Sequence, residues 1–315
     1  MIFEARAYLP ILLWLVSGLV GFPAQSAAAA EPSAQRTPAV AERIVSLAPS
    51  VTETLFALGA QDQLVAVSRY CDHPPAAQEL PRAGDYLRPS IETIVAMQPD
   101  VVIGVETPAN REKIEEIQRL GIRVEIVPEH SLDDAFRSIR AVGALAGRTR
   151  EAEALVRRLR AELEAVRISV ADRPRRRVLV VVGHDPLIAV GQGLYLDELI
   201  EIAGGTNVTR SLGRFARDAE AAPGESHAAA MGPWPRLSLE TVIAAGPEVI
   251  IDGAMGTESG ASVRAWWARF ASVPAVRDGR IRQQEGDSLL RPGPRLGEAA
   301  RELARLIHSD APSAP

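Results

Sequence analysis

A sixteen-residue segment occurs twice in this chain without gaps, and this repeat constrains the fold more than any other feature. Residues 88–103 (RPSIETIVAMQPDVVI) align with residues 236–251 (RLSLETVIAAGPEVII), and eight of the sixteen positions are identical. Each copy contains a serine suited to cap a helix and ends on a run of Val and Ile that is typical of a buried strand. The repeat therefore predicts two α/β units built on one plan.

Strands and helices alternate through both halves of the chain. Predicted strands lie at 43–47, 63–68, 100–105, 123–127, 177–182 and 248–252, and predicted helices at 90–97, 111–120, 194–203, 263–270 and 295–308. A further helix follows the first strand, with Ser50 or Thr52 as its cap and Gly59 at its end. Strands rich in Val and Ile that alternate with helices indicate mostly parallel sheets covered by helices.

Residues 148–170 separate the two halves and contain no Gly or Pro. Their apolar residues recur at Leu155, Leu159, Leu163 and Val166, which is a helical spacing. A continuous helix of this length spans roughly 35 Å, enough to join two lobes rigidly. The predicted organisation is a signal peptide (1–30), a disordered leader (31–42), an N-terminal α/β lobe (43–147), a linking helix (148–172), a C-terminal α/β lobe (173–309) and a disordered tail (310–315).

The first thirty residues have the layout of a secretory signal peptide. Arg6 precedes an apolar run from Ile11 to Phe22, and a small-residue tract ends at Ala30. The run is shorter than the ~20 apolar residues that cross a bilayer, and cleavage is expected before Glu31. No cysteine follows the run, so lipoprotein attachment is not expected. The sequence therefore predicts export to the periplasm, with an uncleaved N-terminal anchor as the alternative.

Charge and cysteine content exclude several classes of protein. The chain has 35 basic and 40 acidic residues and a formal net charge of −5, so a nucleic-acid partner is not expected. Its single cysteine, Cys71, cannot form an intramolecular disulfide or a cysteine-based zinc site. The commonest phosphate-binding, metalloprotease and hydrolase motifs are absent from the sequence. If the protein is an enzyme, the usual signatures therefore do not indicate it.

Four stretches resemble the periplasmic cobalamin-binding proteins of ABC importers: SLAPSVTETLFALGA (46–60), VSRYCDHPP (67–75), PSIETIVAMQPDVVI (89–103) and GPWPRLSLETVIAAGPEVII (232–251). The resemblance extends from about Arg43 to His308. It implies two α/β lobes joined by one rigid helix, with the ligand held between them. It also implies capture of cobalamin or a related corrinoid, which a membrane permease then receives. The resemblance further implies a monomer that is not an enzyme and has neither a resident cofactor nor a metal site.

The resemblance places the ligand against Tyr70, Tyr86, Trp234 and Asp287. A corrin is broad, flat and fringed with amides, so aromatic faces suit its surface and a carboxylate suits its amide hydrogens. Two departures make the pocket less aromatic than the family pattern, because Val105 and Ile188 stand where the family has aromatic residues. Residues 211–231 also form a longer connection than usual, and they carry Phe215, Arg217 and His227.

Glu92 and Glu240 occupy the same position in the two copies of the repeat. A carboxylate in the first turn of a helix is favoured by the helix dipole, so a purely structural role is possible for both. The resemblance implies a second role, in which these two glutamates dock onto arginines of the permease.

Other ligand classes stay open at this point. A haem or ferric-siderophore receptor has the same scaffold, and Arg69, Arg88 and Arg291 could bind an anionic chelate. His130 and His184 follow predicted strands and could coordinate iron or cobalt. A more distant alternative is an exported metal-dependent or acid/base enzyme that uses His184, Asp185 and Asp252.

Overall fold

A four-stranded parallel sheet forms the centre of the N-terminal lobe in the computed structural model, which describes residues 40–212, 233–253, 260–284 and 286–309. The strand order is β2-β1-β3-β4. Strands β1 and β3 are buried along their whole length, which explains why Val and Ile dominate them. The elements of this lobe are β1 (Ile44–Ser46), α1 (Pro49–Ala57), β2 (Leu64–Val67), α2 (Ile91–Met97), β3 (Val101–Gly104), α3 (Arg111–Arg119), β4 (Val124–Ile126) and α4 (Leu132–Leu145).

The C-terminal lobe is built on a second sheet with strand order β6-β5-β8-β9, and β7 also pairs with β5. Strand β6 runs antiparallel to β5, and the other pairs are parallel. The elements around the sheet are β5 (Arg176–His184), β6 (Leu187–Ala189), α6 (Tyr195–Ile202), β7 (Gly205–Asn207), α7 (Leu239–Ala245), β8 (Val249–Asp252), α8 (Gly260–Trp267), α9 (Pro274–Arg277), β9 (Ile281–Gln283) and α10 (Leu296–His308). The predicted fold class, two mostly parallel sheets flanked by helices, is confirmed.

Helix α5 (Thr149–Ser169) lies between the two sheets in the chain and packs against α4 of one lobe and α10 of the other. One apolar core includes side chains from all three regions, among them Leu55, Leu159 and Leu303. Separating the lobes would expose this shared core at a cost of ~25 cal/mol for each Å² of apolar surface. The shared core therefore ties the lobes together, while the domain limits given above stay predictions.

The repeated segment adopts the same local structure twice. Ser90 and Ser238 cap α2 and α7, and each hydroxyl accepts a hydrogen bond from the backbone N–H three residues later. Both helices end in the left-handed conformation at matching positions, Gln98 with φ +46° and Gly246 with φ +54°. Each helix then leads directly into a fully buried strand, β3 or β8.

Matching contacts also hold each repeat against the first strand of its own sheet. In the N-terminal lobe, Asp100 accepts a hydrogen bond from the backbone N–H of Arg43, whose side chain donates to carbonyls at the end of α2. In the C-terminal lobe, Glu248 accepts from the backbone N–H of Arg177, whose side chain donates to the carbonyl of Gly246. The two lobes thus repeat the same backbone arrangement and the same polar contacts.

Two local predictions for the N-terminal lobe need correction. Neither Ser50 nor Thr52 caps α1, because the helix begins at Pro49 with Ala48 as its N-cap. Proline suits the first helical position, since its φ is already helical and it has no N–H to satisfy. The two hydroxyls bind elsewhere, that of Thr52 to Ser46 and that of Ser50 to Glu129.

Several elements lie outside the sequence-based expectation. Helix α4, the antiparallel strand β6 and the short strands β7 and β9 were not predicted. Among the residues described, every helix is too short or too polar to cross a membrane. The predicted signal peptide and tail, and Phe215, Arg217 and His227, lie outside the described residues.

Candidate functional site

A cavity of about 430 Å³ lies between the two lobes, at the carboxyl ends of strands β3 and β4. This edge of a parallel sheet is where α/β proteins generally bind ligands. The N-terminal lobe contributes Val105, Glu106 and residues 126–130 to its wall. The C-terminal lobe contributes Leu194, Tyr195, Trp234, Leu290 and Pro292.

Trp234, one of the four predicted ligand residues, lines this cavity. Its neighbours Pro233 and Pro235 restrict the backbone on both sides. The side chain is 42% exposed, so a large part of the indole remains available for contact. Val105, which replaces an aromatic residue of the family pattern, also lines the cavity.

Tyr70 and Tyr86 lie next to each other, with ring centroids 5.9 Å apart and planes inclined by 58°. Both are partly exposed, and neither is among the residues that line the cavity. Asn110 links Tyr86 to the cavity wall, because its side-chain amide donates hydrogen bonds of 2.8 Å to the backbone carbonyls of Tyr86 and Val105. The structure therefore connects the backbone of Tyr86 to the cavity wall, while ligand contact by the two tyrosine rings stays a prediction.

Asp287 belongs to an ionic cluster formed by Glu53, Asp72, Asp287, Arg291 and Arg295. Its carboxylate pairs with both arginines. Burial lowers the pKa of Arg295, but hydrogen bonds and charge attraction from Glu53 outweigh it, so the pKa stands above its ordinary value. Arg291 also donates to the carbonyl of Tyr70 at 3.1 Å. Within the cluster, the Asp287 carboxylate is already paired with arginines and is not directed at the cavity alone. A ligand role for Asp287 stays a prediction.

Glu129 also lines the cavity, although it was not among the predicted site residues. Its carboxyl accepts a hydrogen bond from the hydroxyl of Ser50 on α1. Burial is the main influence on this group and raises its pKa to about 7, although the Ser50 hydrogen bond acts in the opposite direction. His130, selected because it follows strand β4, is the next residue in the chain and lines the same cavity. The same position after β4 could have pointed to Glu129.

His184 does not line the cavity, although it also follows a strand. Its Nε2 lies 2.7 Å from the Asp252 carboxylate, which accepts a hydrogen bond from the indole N–H of Trp267 as well. The imidazole stacks on Trp266 at 4.6 Å. Within the described residues no three His, Cys, Asp or Glu side chains are grouped so that they could hold a metal ion. The structure thus brings together His184 and Asp252, two of the three residues named for the acid/base alternative, and holds them against the rings of Trp266 and Trp267.

Cys71 is fully buried, and burial raises the pKa of its thiol. Thr52 donates a hydrogen bond to the sulfur at 3.1 Å. These contacts fit a small buried residue of the core.

Glu92 and Glu240 are exposed in the first turns of α2 and α7. Each is followed three residues later by an exposed apolar side chain, Val95 at 45% and Ile243 at 42%. Residues three apart share one face of a helix. The two lobes therefore present matching patches that pair a carboxylate with an apolar side chain.

Two α/β lobes around a cavity, tied together by a shared core, define a solute-binding protein. The chain belongs to the periplasmic binding protein family, whose model matches residues 44–285. Among its relatives is the vitamin B12-binding protein of Vibrio cholerae, 29% identical over 276 residues, or 88% of this chain and 92% of the relative.

Solved structures support the same assignment. The periplasmic vitamin B12-binding protein BtuF of Vibrio cholerae is 28% identical, with a TM-score of 0.68, over 85% of this chain and 96% of that one. The periplasmic haem-binding protein RhuT of Roseiflexus sp. RS-1 is 30% identical, with a TM-score of 0.70, over 85% and 98% of the two chains. The family resemblance drawn from the sequence is confirmed.

Proposed function

We propose that this protein is the substrate-binding component of an ABC importer that captures cobalamin or a related corrinoid between its lobes. The observation that carries the proposal is the interlobe cavity lined by Trp234 in a chain related to vitamin B12-binding proteins. The protein binds and releases its ligand without changing it chemically. The importer's permease and ATPase perform the transport.

The chemistry of the cavity supports a corrinoid. Much of the lining is apolar, with Val105, Leu194, Leu290 and the ring of Trp234 available for contact with a flat macrocycle. Tyr70 and Tyr86, whose rings contact each other, are proposed to add further aromatic surface. Flat aromatic side chains lose little rotamer freedom on binding, so they contribute contact area at low entropic cost. Asp287 is proposed as the remaining ligand contact, through a corrin amide.

Haem binding is the second candidate. It is favoured by the likeness to the haem-binding protein of Roseiflexus and by His130 in the cavity wall, because imidazole is a common iron ligand. A ferric siderophore is less well supported, since no arginine is among the described residues that line the cavity.

Docking onto the permease is proposed for Glu92 and Glu240. Their matching places in the two lobes suit a partner with two similar subunits, and charge-assisted pairing with arginines would fix the orientation. Val95 and Ile243 would add apolar contact beside each ion pair. The protein would reach this partner in the periplasm, after export and cleavage of its signal peptide, as a monomer without a lipid anchor.

Tryptophan fluorescence tests the ligand. The chain beginning at Glu31 is titrated with cyanocobalamin, haemin and a ferric hydroxamate. Saturable one-to-one quenching by cyanocobalamin with a Kd below about 1 µM, roughly −8 kcal/mol, is expected. Trp234→Ala should abolish it, whereas the control Trp266→Phe, outside the cavity, should retain binding. Saturation by haemin alone would contradict the corrinoid assignment, and no binding by any of the three would contradict the ligand class.

A further inference from the structure

The interlobe cavity has a charge pattern that the proposed function does not use. Its described lining includes two carboxyl groups, Glu106 and Glu129, but no arginine or lysine. We propose that Glu129 is a specificity-determining residue that contacts the ligand. Its carboxyl group favours the binding of a neutral, amide-rich molecule and disfavours the binding of one that carries carboxylates. This inference rests on the proposed function, because it requires that the transported ligand occupies this cavity.

The position of Glu129 supports direct contact. The residue follows strand β4 and lines the cavity together with Trp234 from the other lobe. Ser50 donates a hydrogen bond to Oε1 and thereby orients the carboxyl group. A ligand stacked on Trp234 would displace the water that solvates the cavity side of Glu129.

Protonation determines which ligands Glu129 can accept. Burial already favours the neutral acid, with a pKa of about 7. A ligand that excludes more water favours the acid further, because an ionised carboxylate without a cationic partner is costly to bury. The acid offers one donor and one acceptor, and a primary amide offers both as well. A carboxylate on the ligand would instead face Glu106 and, above the pKa, ionised Glu129.

Charged and titratable groups lie around Glu129 on several elements. The Glu106 carboxylate pairs with Arg111 at 3.0 Å. Burial raises the pKa of Tyr195 well above its ordinary value, and its hydroxyl donates to the carbonyl of Leu289.

On α1 and the segment before α10, the charged side chains are Glu53, Asp287, Arg291 and Arg295, which pair with one another. His130 is the remaining titratable residue of the cavity lining, so it requires its own control.

The test compares Glu129→Gln with wild-type protein from pH 5.5 to 8.5. Wild-type affinity for cyanocobalamin should fall by at most tenfold per pH unit above about 7, because a bound ligand makes the ionised Glu129 carboxylate more costly to bury. Glu129→Gln keeps a neutral group of the same shape, so its affinity should stay constant. At pH 8 the same variant should bind haemin, which carries carboxylates, about tenfold more tightly than wild type does.

Matched variants separate this result from other causes. Glu106→Gln and His130→Gln should keep the wild-type pH profile. Glu129→Asp keeps an acid at this position, so its affinity for cyanocobalamin should depend on pH. Unfolding measurements on each variant check that it is folded. A pH profile that persists in Glu129→Gln, or disappears in His130→Gln, overturns the inference. In that case the proposed function still stands if wild-type protein binds cyanocobalamin and Trp234→Ala does not. Wild-type protein that binds only haemin would overturn both the proposed function and the inference about Glu129.

Discussion

The Glu53 carboxylate on α1 accepts hydrogen bonds of 2.8 and 2.7 Å from the guanidinium of Arg295, which belongs to the other lobe. The Glu53 side chain is 1% exposed, and it also accepts a bond from Arg291. A single buried carboxylate thus joins two arginines across the lobe boundary. This contact fixes the relative position of the two sides of the cavity.

Removing that charge should destabilise the protein strongly. Glu53→Gln removes the most buried counter-charge of two arginines, which keep Asp287 and, for Arg291, Asp72 as partners. Breaking a buried pair from one side costs about 3–5 kcal/mol, and the remaining partners should keep the loss at the lower end of that range. Urea unfolding monitored by circular dichroism measures the loss. Glu164→Gln removes the partner of Arg167 in an exposed pair and should change little. Equal losses of unfolding free energy in the two variants would show that the buried cluster stabilises the fold no more than an exposed ion pair does.

The raised pKa of Glu129 should make stability depend on pH. Between about 4.5, its ordinary value, and about 7, the folded protein holds a proton that the unfolded chain releases. Stability should therefore fall as pH rises through this window, by up to about 1.4 kcal/mol per unit, and level off above it. Other carboxylates have opposite effects, so the informative quantity is the difference between wild type and Glu129→Gln. A difference that does not vary with pH would contradict the expectation.

Gly143→Ala should destabilise the contact between α4 and α5. Alanine ordinarily stabilises a helix relative to glycine by ~1 kcal/mol. Here the new methyl group would overlap that of Ala152 on the facing helix, and such overpacking costs ~1–3 kcal/mol. We expect a net loss that lowers Tm and only partial recovery when Ala152→Gly is added, because the backbone carbonyl of Arg148 would still lie 3.1 Å from the new methyl group. Gly183→Ala is the control, because its methyl would meet no described atom nearer than 3.6 Å.

Reversing the charge at the matching patches should separate binding from delivery. Glu92→Arg combined with Glu240→Arg should leave the Kd for cyanocobalamin unchanged and reduce ATP-dependent uptake by vesicles that contain the permease, since repulsion would replace attraction. Val95→Asp with Ile243→Asp should weaken uptake as well. Glu112→Arg alters an acidic residue in the first turn of α3 and should have no effect. Normal uptake by the double arginine variant would exclude docking through these glutamates.

Local signals predicted much of the fold. The two copies of the repeat gave correct helices, strands and caps, because capping and buried Val and Ile runs are properties of short segments. Helix α4 also carried such a signal, since Ser131 and Asp134 form a reciprocal capping box at its start. Strand β6 was harder to recognise, because it is three residues long and follows a turn that contains Pro186.

The site depends on contacts that no local pattern encodes. Ser50 reaches Glu129 across 79 positions of sequence, and Glu53 reaches Arg295 across 242. The rule that ligands bind at the carboxyl ends of strands selected both His130 and His184, yet only His130 lines the cavity. The rule identifies the edge of a sheet, whereas packing decides where each side chain points. Ligand roles for Tyr70, Tyr86, Trp234 and Asp287 stay predictions for this reason.

The apolar core that α5 shares with both lobes has a consequence for how the chain acquires its structure. A fragment ending before α5 would leave α4 without the helix it packs on, and a fragment starting after α5 would do the same to α10. Neither half is therefore expected to persist as a folded fragment. During synthesis the N-terminal half would stay incompletely packed until α10, at the far end of the described chain, has emerged and docked.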